Sequence, residues 1–222
     1  MSRRVKFCRV LRQFKNGANV EYPGRRALQL VVSLASNGEL DAAAAHASSI
    51  AGGPEAVEAW TFLYRVNANL QRWNEACSSL ENALRFSPDS ASLELELALV
   101  LERAGRHEEA LARFESLAAA NPDSSELLGH LARGLGFAGR QEEALRRLEG
   151  ALARWPTDPR LHRQQAELRW HLGAGEQTTA PLELAIAAHP DSVALRLVAA
   201  ESLRQAGHAL RALAILDAGL AR

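Results

Sequence analysis

Large apolar and small residues recur along this chain on a long, regular beat. Leu63, Leu97 and Leu131 stand 34 residues apart, and so do Leu80, Phe114, Leu148, Leu182 and Leu216. Small residues keep the same spacing at Ala76, Ala110 and Ala144, break at Thr178, and resume at Ala212. Two kinds of chain breaker are interleaved with them. Gly105, Gly139, Gly173 and Gly207 recur every 34 residues, as do Pro54, Pro88, Pro122, Pro156 and Pro190. Each period therefore reads as two helices. A glycine closes the first, because a left-handed cap there meets no Cβ clash. A proline marks the end of the second, because it cannot continue the hydrogen-bond ladder. The Asp or Ser that follows can cap the next helix. The recurring alanines mark close helix approaches, and neither helix of a pair can bury its apolar face without its neighbours.

The residues on this beat resemble the tetratricopeptide repeat family, whose unit is a 34-residue helix–turn–helix. Residues 57–90 carry the resemblance best, with Trp60, Leu63, Tyr64, Ala76, Leu80, Ala83 and Pro88 at the family's pattern positions. The resemblance implies an all-α, right-handed superhelical solenoid of about six units, at 23–56, 57–90, 91–124, 125–158, 159–192 and 193–222. Two units depart from the pattern. The first has Arg26, Gln29 and His46 where apolar residues are expected. The fifth has Gln165, Arg169 and Thr178 at apolar or small positions, and Pro181 inside its second helix, which predicts a kink or a late start. The last unit is followed by no polar capping helix, so its outer face is expected to meet a partner, a second copy or further chain.

What the resemblance implies about function is a groove, lined by the first helices, that holds an extended or helical segment of another protein. Carried onto this sequence, that face takes Thr61, Arg65 and Asn69, then Leu95, Glu96, Leu99 and Arg103, then His130, Arg133 and Phe137. It continues through Arg163, Gln164, Glu167, Trp170 and His171 to Leu197, Glu201 and Gln205. Gly129, Gly134 and Gly136 crowd one of these helices and are expected to open space beside Arg133 and Phe137. With Arg163, Trp170 and His171 one unit on, this predicts a pocket for an acidic or aromatic segment between the fourth and fifth units. Some family members grip a C-terminal carboxylate with a Lys/Asn clamp. Thr61, Arg65 and Glu96 in one frame, and Gly129 and Arg133 in another, do not supply that set.

Composition adds little to the fold but something to the ends. The 42 Ala and 35 Leu among 222 residues suit closely packed helices. The net charge is zero, 26 basic against 26 acidic residues, yet residues 1–26 hold eight basic groups and one acid. Residues 1–22 therefore form a basic arm, with Phe7, Val10, Leu11 and Phe14 on one helical face. It reads as a capping helix. The alternatives are a membrane-surface segment through residues 1–15 or an organellar leader. Basic residues do not continue as a stripe beyond it, so no nucleic-acid partner is expected. No apolar run reaches the ~18 residues that span a bilayer. Cys8 and Cys77 have no metal or redox spacing and fit reduced thiols in a cytoplasmic protein.

Candidate chemistry is sparse. His189-Pro190-Asp191 and Gly173-Ala174-Gly175 look like known motifs but fall on repeat turns. Glu108-Glu109 and Glu142-Glu143 open second helices, where negative charge suits the dipole. No nucleophile–base set, metal-ligand spacing or cofactor motif is found. The sequence therefore predicts a non-catalytic scaffold, with no cofactor or metal, that holds a protein or peptide in its groove. Two alternatives are the recruiting domain of a larger enzyme and a membrane-tethered assembly factor. Self-association through the uncapped last unit is a further expectation.

Overall fold

The computed structural model describes residues 23–50, 52–173 and 178–220; the expectations for the basic arm and for Cys8 lie outside them. Among the described residues there are helices and no strands. In chain order they are α1 (Pro23–Ser36), α2 (Leu40–Ser48), α3 (Pro54–Asn69), α4 (Trp73–Phe86), α5 (Ala91–Arg103) and α6 (His107–Ala120). They continue with α7 (Ser125–Phe137), α8 (Gln141–Arg154), α9 (Pro159–His171), α10 (Ala180–Ala188), α11 (Val193–Gln205) and α12 (Ala209–Leu220). Successive helices pair into hairpins on the 34-residue beat, which makes the chain an all-α solenoid of helical repeats. It divides after Arg113 into two compact halves.

The turns explain the beat. Gly105, Gly139, Gly173 and Gly207 all take φ between +76° and +83°. The backbone N–H following three of these glycines reaches back five residues: Arg106 to Leu101 (2.9 Å), Arg140 to Leu135 (2.8 Å) and His208 to Leu203 (2.8 Å). This is a Schellman-type cap, which satisfies a carbonyl the helix leaves open. Ser90, Ser124, Asp158 and Ser192, again 34 apart, cap the following first helices with side-chain oxygens. The second helices α4, α6, α8 and α10 stop two residues before their prolines, as the crowding of a pre-proline residue requires. Pro54 differs. It opens α3 at its first turn instead of closing α2, where its missing N–H costs nothing.

Burial follows the same period. Leu80, Phe114, Leu148 and Leu182 are 0–1% exposed, and Ala76, Ala110 and Ala144 are equally enclosed. The fifth repeat behaves as its sequence predicts. Its second helix, α10, is nine residues long with Pro181 in its first turn, against fourteen residues in α8. It packs through Leu182 into a cluster with Ala166, Leu195, Val198 and Ala199. In the sixth repeat, Leu210 and Leu213 are exposed on α12.

Two of the three α7 glycines, Gly129 and Gly136, do not open space. A Cβ at Gly136 would lie 2.7 Å from Leu168 Cδ2, and one at Gly129 would lie 3.6 Å from Leu161 Cδ2. Leucines of α9 already fill the room that the missing side chains leave. The expected widening of the groove beside Arg133 and Phe137 is therefore replaced by close packing of α7 on α9.

Candidate functional site

In the N-terminal half, one pair of first-helix side chains is joined from repeat to repeat. Tyr64 donates its hydroxyl to Glu96 Oε2 at 2.5 Å. Burial first, and then this carboxylate, push the Tyr64 phenol well above its usual range. Glu96 is thereby fixed against α3. Asn69 Nδ2 donates to the Arg65 carbonyl at 2.8 Å, which ties it to its own helix. Arg65 and Thr61 line an open cleft of about 680 Å³ with Val57, Glu58 and Phe86.

In the C-terminal half, His130 stacks on Phe114 with ring centroids 5.7 Å apart, and Arg133 Nη2 lies 3.1 Å from His130 Nδ1. Burial first, then the nearby positive charge of Arg133, lower the His130 pKa. Phe137 is 54% exposed at the end of α7.

Arg163, Glu167, Trp170 and His171 come together. They line a cavity of about 250 Å³ between α9 and α11, with Ala166, Thr178, Val198, Glu201, Ser202 and Gln205 completing the wall. Arg133 and Phe137 are not among its lining residues, so this cavity belongs to the fifth and sixth repeats. A wider cleft of about 520 Å³, bordered by Leu128, Arg147, Gly150 and Arg154, contains none of the expected residues.

The repeat itself explains why those side chains converge. Positions 163, 167, 170 and 171 lie within about two turns on one face of α9. Adding 34 to 167 and 171 gives Glu201 and Gln205, the equivalent face of α11. Glu201 is heavily engaged. Arg204 donates to it through Nε (2.9 Å) and Nη2 (2.7 Å), and Gln205 Nε2 donates at 2.9 Å. The Arg204 bonds first and Gln205 second pull its pKa down to about 2, and the positive charge of Arg163 adds to the effect. Trp170 is 47% exposed. Among the described residues, Glu167 has no ion-pair partner.

Thr178 was legible only as a break in the alanine series. It is 4% exposed, it lines the cavity, and its Oγ1 is buried without a hydrogen-bond partner among the described residues. Alanine at the equivalent places leaves no such atom. Among the described residues no cluster of His, Cys, Asp and Glu could hold a metal, and no helix is long and apolar enough to cross a membrane.

Residues 68–134 match a family model described as tetratricopeptide repeat. No curated protein sequence matches the chain. Among solved structures, a tetratricopeptide repeat protein from Parabacteroides merdae superposes with a TM-score of 0.60 at 18% identity, covering 87% of this chain and 77% of that one. YrrB, a tetratricopeptide repeat protein with an unusual peptide-binding site, superposes with a TM-score of 0.52 at 20% identity, covering 85% of this chain and 95% of its own. The resemblance read from the repeat beat thus holds by sequence over residues 68–134 and by fold over most of the chain.

Proposed function

We propose, from the tetratricopeptide-repeat fold of this chain, that it is a non-catalytic scaffold that holds a segment of a partner protein against its first helices. Proteins of this fold generally act as protein–protein interaction scaffolds. The observation that carries the reading is the cavity between α9 and α11, where an exposed indole and a carboxylate unpaired among the described residues line one small space. Such aromatic and charged anchors dominate interface energetics when a partner encloses them. Arg65, in its own cleft, offers a second contact point in the N-terminal half.

The test is affinity capture with the full chain. Trp170→Ala or Arg65→Glu should lower recovery of the partner at least fivefold, while Arg147→Glu on the second helix α8 should not. Unchanged recovery with both first-helix variants, or loss with Arg147→Glu alone, contradicts the reading.

Self-association through the last hairpin is a second reading, and α12 favours it. Leu213 is 56% exposed, although it stands on the beat of Cys77 and Leu111, which are 0% and 2% exposed. Light scattering after size exclusion should show a concentration-dependent dimer that Leu213→Glu abolishes. A monomer at all concentrations removes this reading.

A further inference from the structure

The cavity between α9 and α11 has an unequal balance of donors and acceptors. Of its two carboxylates, Glu201 is saturated by Arg204 and Gln205, and Arg163 adds further positive charge near it. Glu167 is left without an ion pair among the described residues, one helical turn from the open face of Trp170. Thr178 contributes a buried oxygen with no donor. The Trp170 end of the cavity also lies at the C-terminal last turns of α9 and α11, where backbone carbonyls give partial negative charge. The two arginines in those turns are occupied, Arg169 by Glu149 (3.4 Å) and Arg204 by Glu201 (2.7 Å), while His171 lines the cavity beside Trp170.

Resting on the scaffold reading above, we infer that this cavity holds one basic side chain, arginine or lysine, of the partner segment. The cation lies over the Trp170 ring, pairs with Glu167, and donates a hydrogen bond to Thr178 once the threonine turns its hydroxyl into the cavity. Glu167 is the carboxylate that its neighbours leave open there, and an arginine or lysine head group only donates. The face of an indole is the best aromatic partner for a cation. The volume of about 250 Å³ suits a single side chain. It falls below the range of pockets that enclose whole small-molecule ligands. A carboxylate in the same place would face Glu167, Glu201 and two helix C-termini. Arg163, the cation that could receive it, lies two turns back along α9 from Trp170. The expected acidic segment is therefore the weaker fit here.

The test uses the full, isotopically labelled chain and four capped tripeptides that differ only in a central Arg, Lys, Gln or Glu. The indole N–H resonance of Trp170, assigned by its loss in Trp170→Phe, reports occupancy. The Arg and Lys peptides should shift it saturably, and the Gln and Glu peptides should not. Glu167→Gln, a surface change that leaves the fold intact, should weaken the Arg peptide about threefold to fivefold. Thr178→Val should weaken it about fivefold. The same variant should raise the thermal midpoint, because it removes a buried unpaired hydroxyl. A Glu peptide that binds as tightly as the Arg peptide overturns the assignment. So does Arg binding that is indifferent to both variants, or a Trp170 signal that no peptide moves. Partner capture that survives Glu167→Gln and Trp170→Ala but is lost with Arg65→Glu would refute this site and leave the scaffold reading standing.

Discussion

Gln71 occupies a place in the repeat where the chain elsewhere has glycine. Its φ is +62°, and Gly105, one period on, has φ +79°. The cap bonds are the same at both. Gln71 N–H donates to Ala68 at 3.1 Å and Arg72 N–H to Asn67 at 2.9 Å, matching Gly105 to Glu102 and Arg106 to Leu101. The backbone is therefore forced left-handed whatever the residue, and a side chain there carries a strain of about 1–2 kcal/mol. Gln71→Gly removes that strain. It also loosens the unfolded chain, which returns about 0.4–1 kcal/mol. The net expectation is a gain of about 0.5–1 kcal/mol. Gly105→Ala makes the converse test, because a Cβ there has nothing within 4 Å and the whole cost is conformational. It should lose about the same amount. Urea unfolding followed by far-ultraviolet circular dichroism reads both, as a midpoint shift at constant slope. If Gln71→Gly is neutral or destabilising at unchanged slope, the turn geometry is not what sets the residue preference, and the account of the beat fails.

The glycines of α7 should respond in opposite directions. Gly129→Ala gains helix propensity of about 1 kcal/mol, with an ordinary 3.6 Å contact to Leu161. Gly136→Ala drives a Cβ to 2.7 Å from the enclosed Leu168 and should destabilise by about 1 kcal/mol, because overpacking at ~1–3 kcal/mol exceeds the propensity gain. Thermal melts that show the same sign for both would refute the packing argument. His130 has a folded pKa below its unfolded value, from burial first and then Arg133. The unfolded state therefore binds the extra proton, so stability is full above the unfolded pKa of about 6.5 and falls as pH drops below it. His130→Phe should flatten the denaturant midpoint between neutral pH and pH 5; an unchanged slope contradicts this.

Much of this was readable in the chain because a repeat states each position several times. One glycine is ambiguous, but Gly105, Gly139, Gly173 and Gly207 in register define a cap, and Pro181 predicts a kink or a late start, of which the late start is found. The capping Ser and Asp residues were equally legible. Features that depend on the partner across a contact were not. The α7 glycines read as empty space because nothing in the sequence announces that Leu161 and Leu168 reach into them. Glu96 reads as a groove-facing residue, with no sign in the sequence that Tyr64 of the preceding repeat holds it. The cavity was anticipated one repeat too early. Its residues on α9 are readable from the repeat, but Thr178, which precedes the start of α10 at Ala180, is not.

The claim on which the account depends is that the inner face of the first helices does the protein's work. Hydrogen exchange of the full chain, with and without the captured partner, measures this directly. The account predicts slowed exchange in α9 and α11, strongest around residues 167–171 and 201–205, with α8 and α10 unchanged. Protection confined to the second helices, with α9 and α11 exchanging as they do in the free chain, would contradict it.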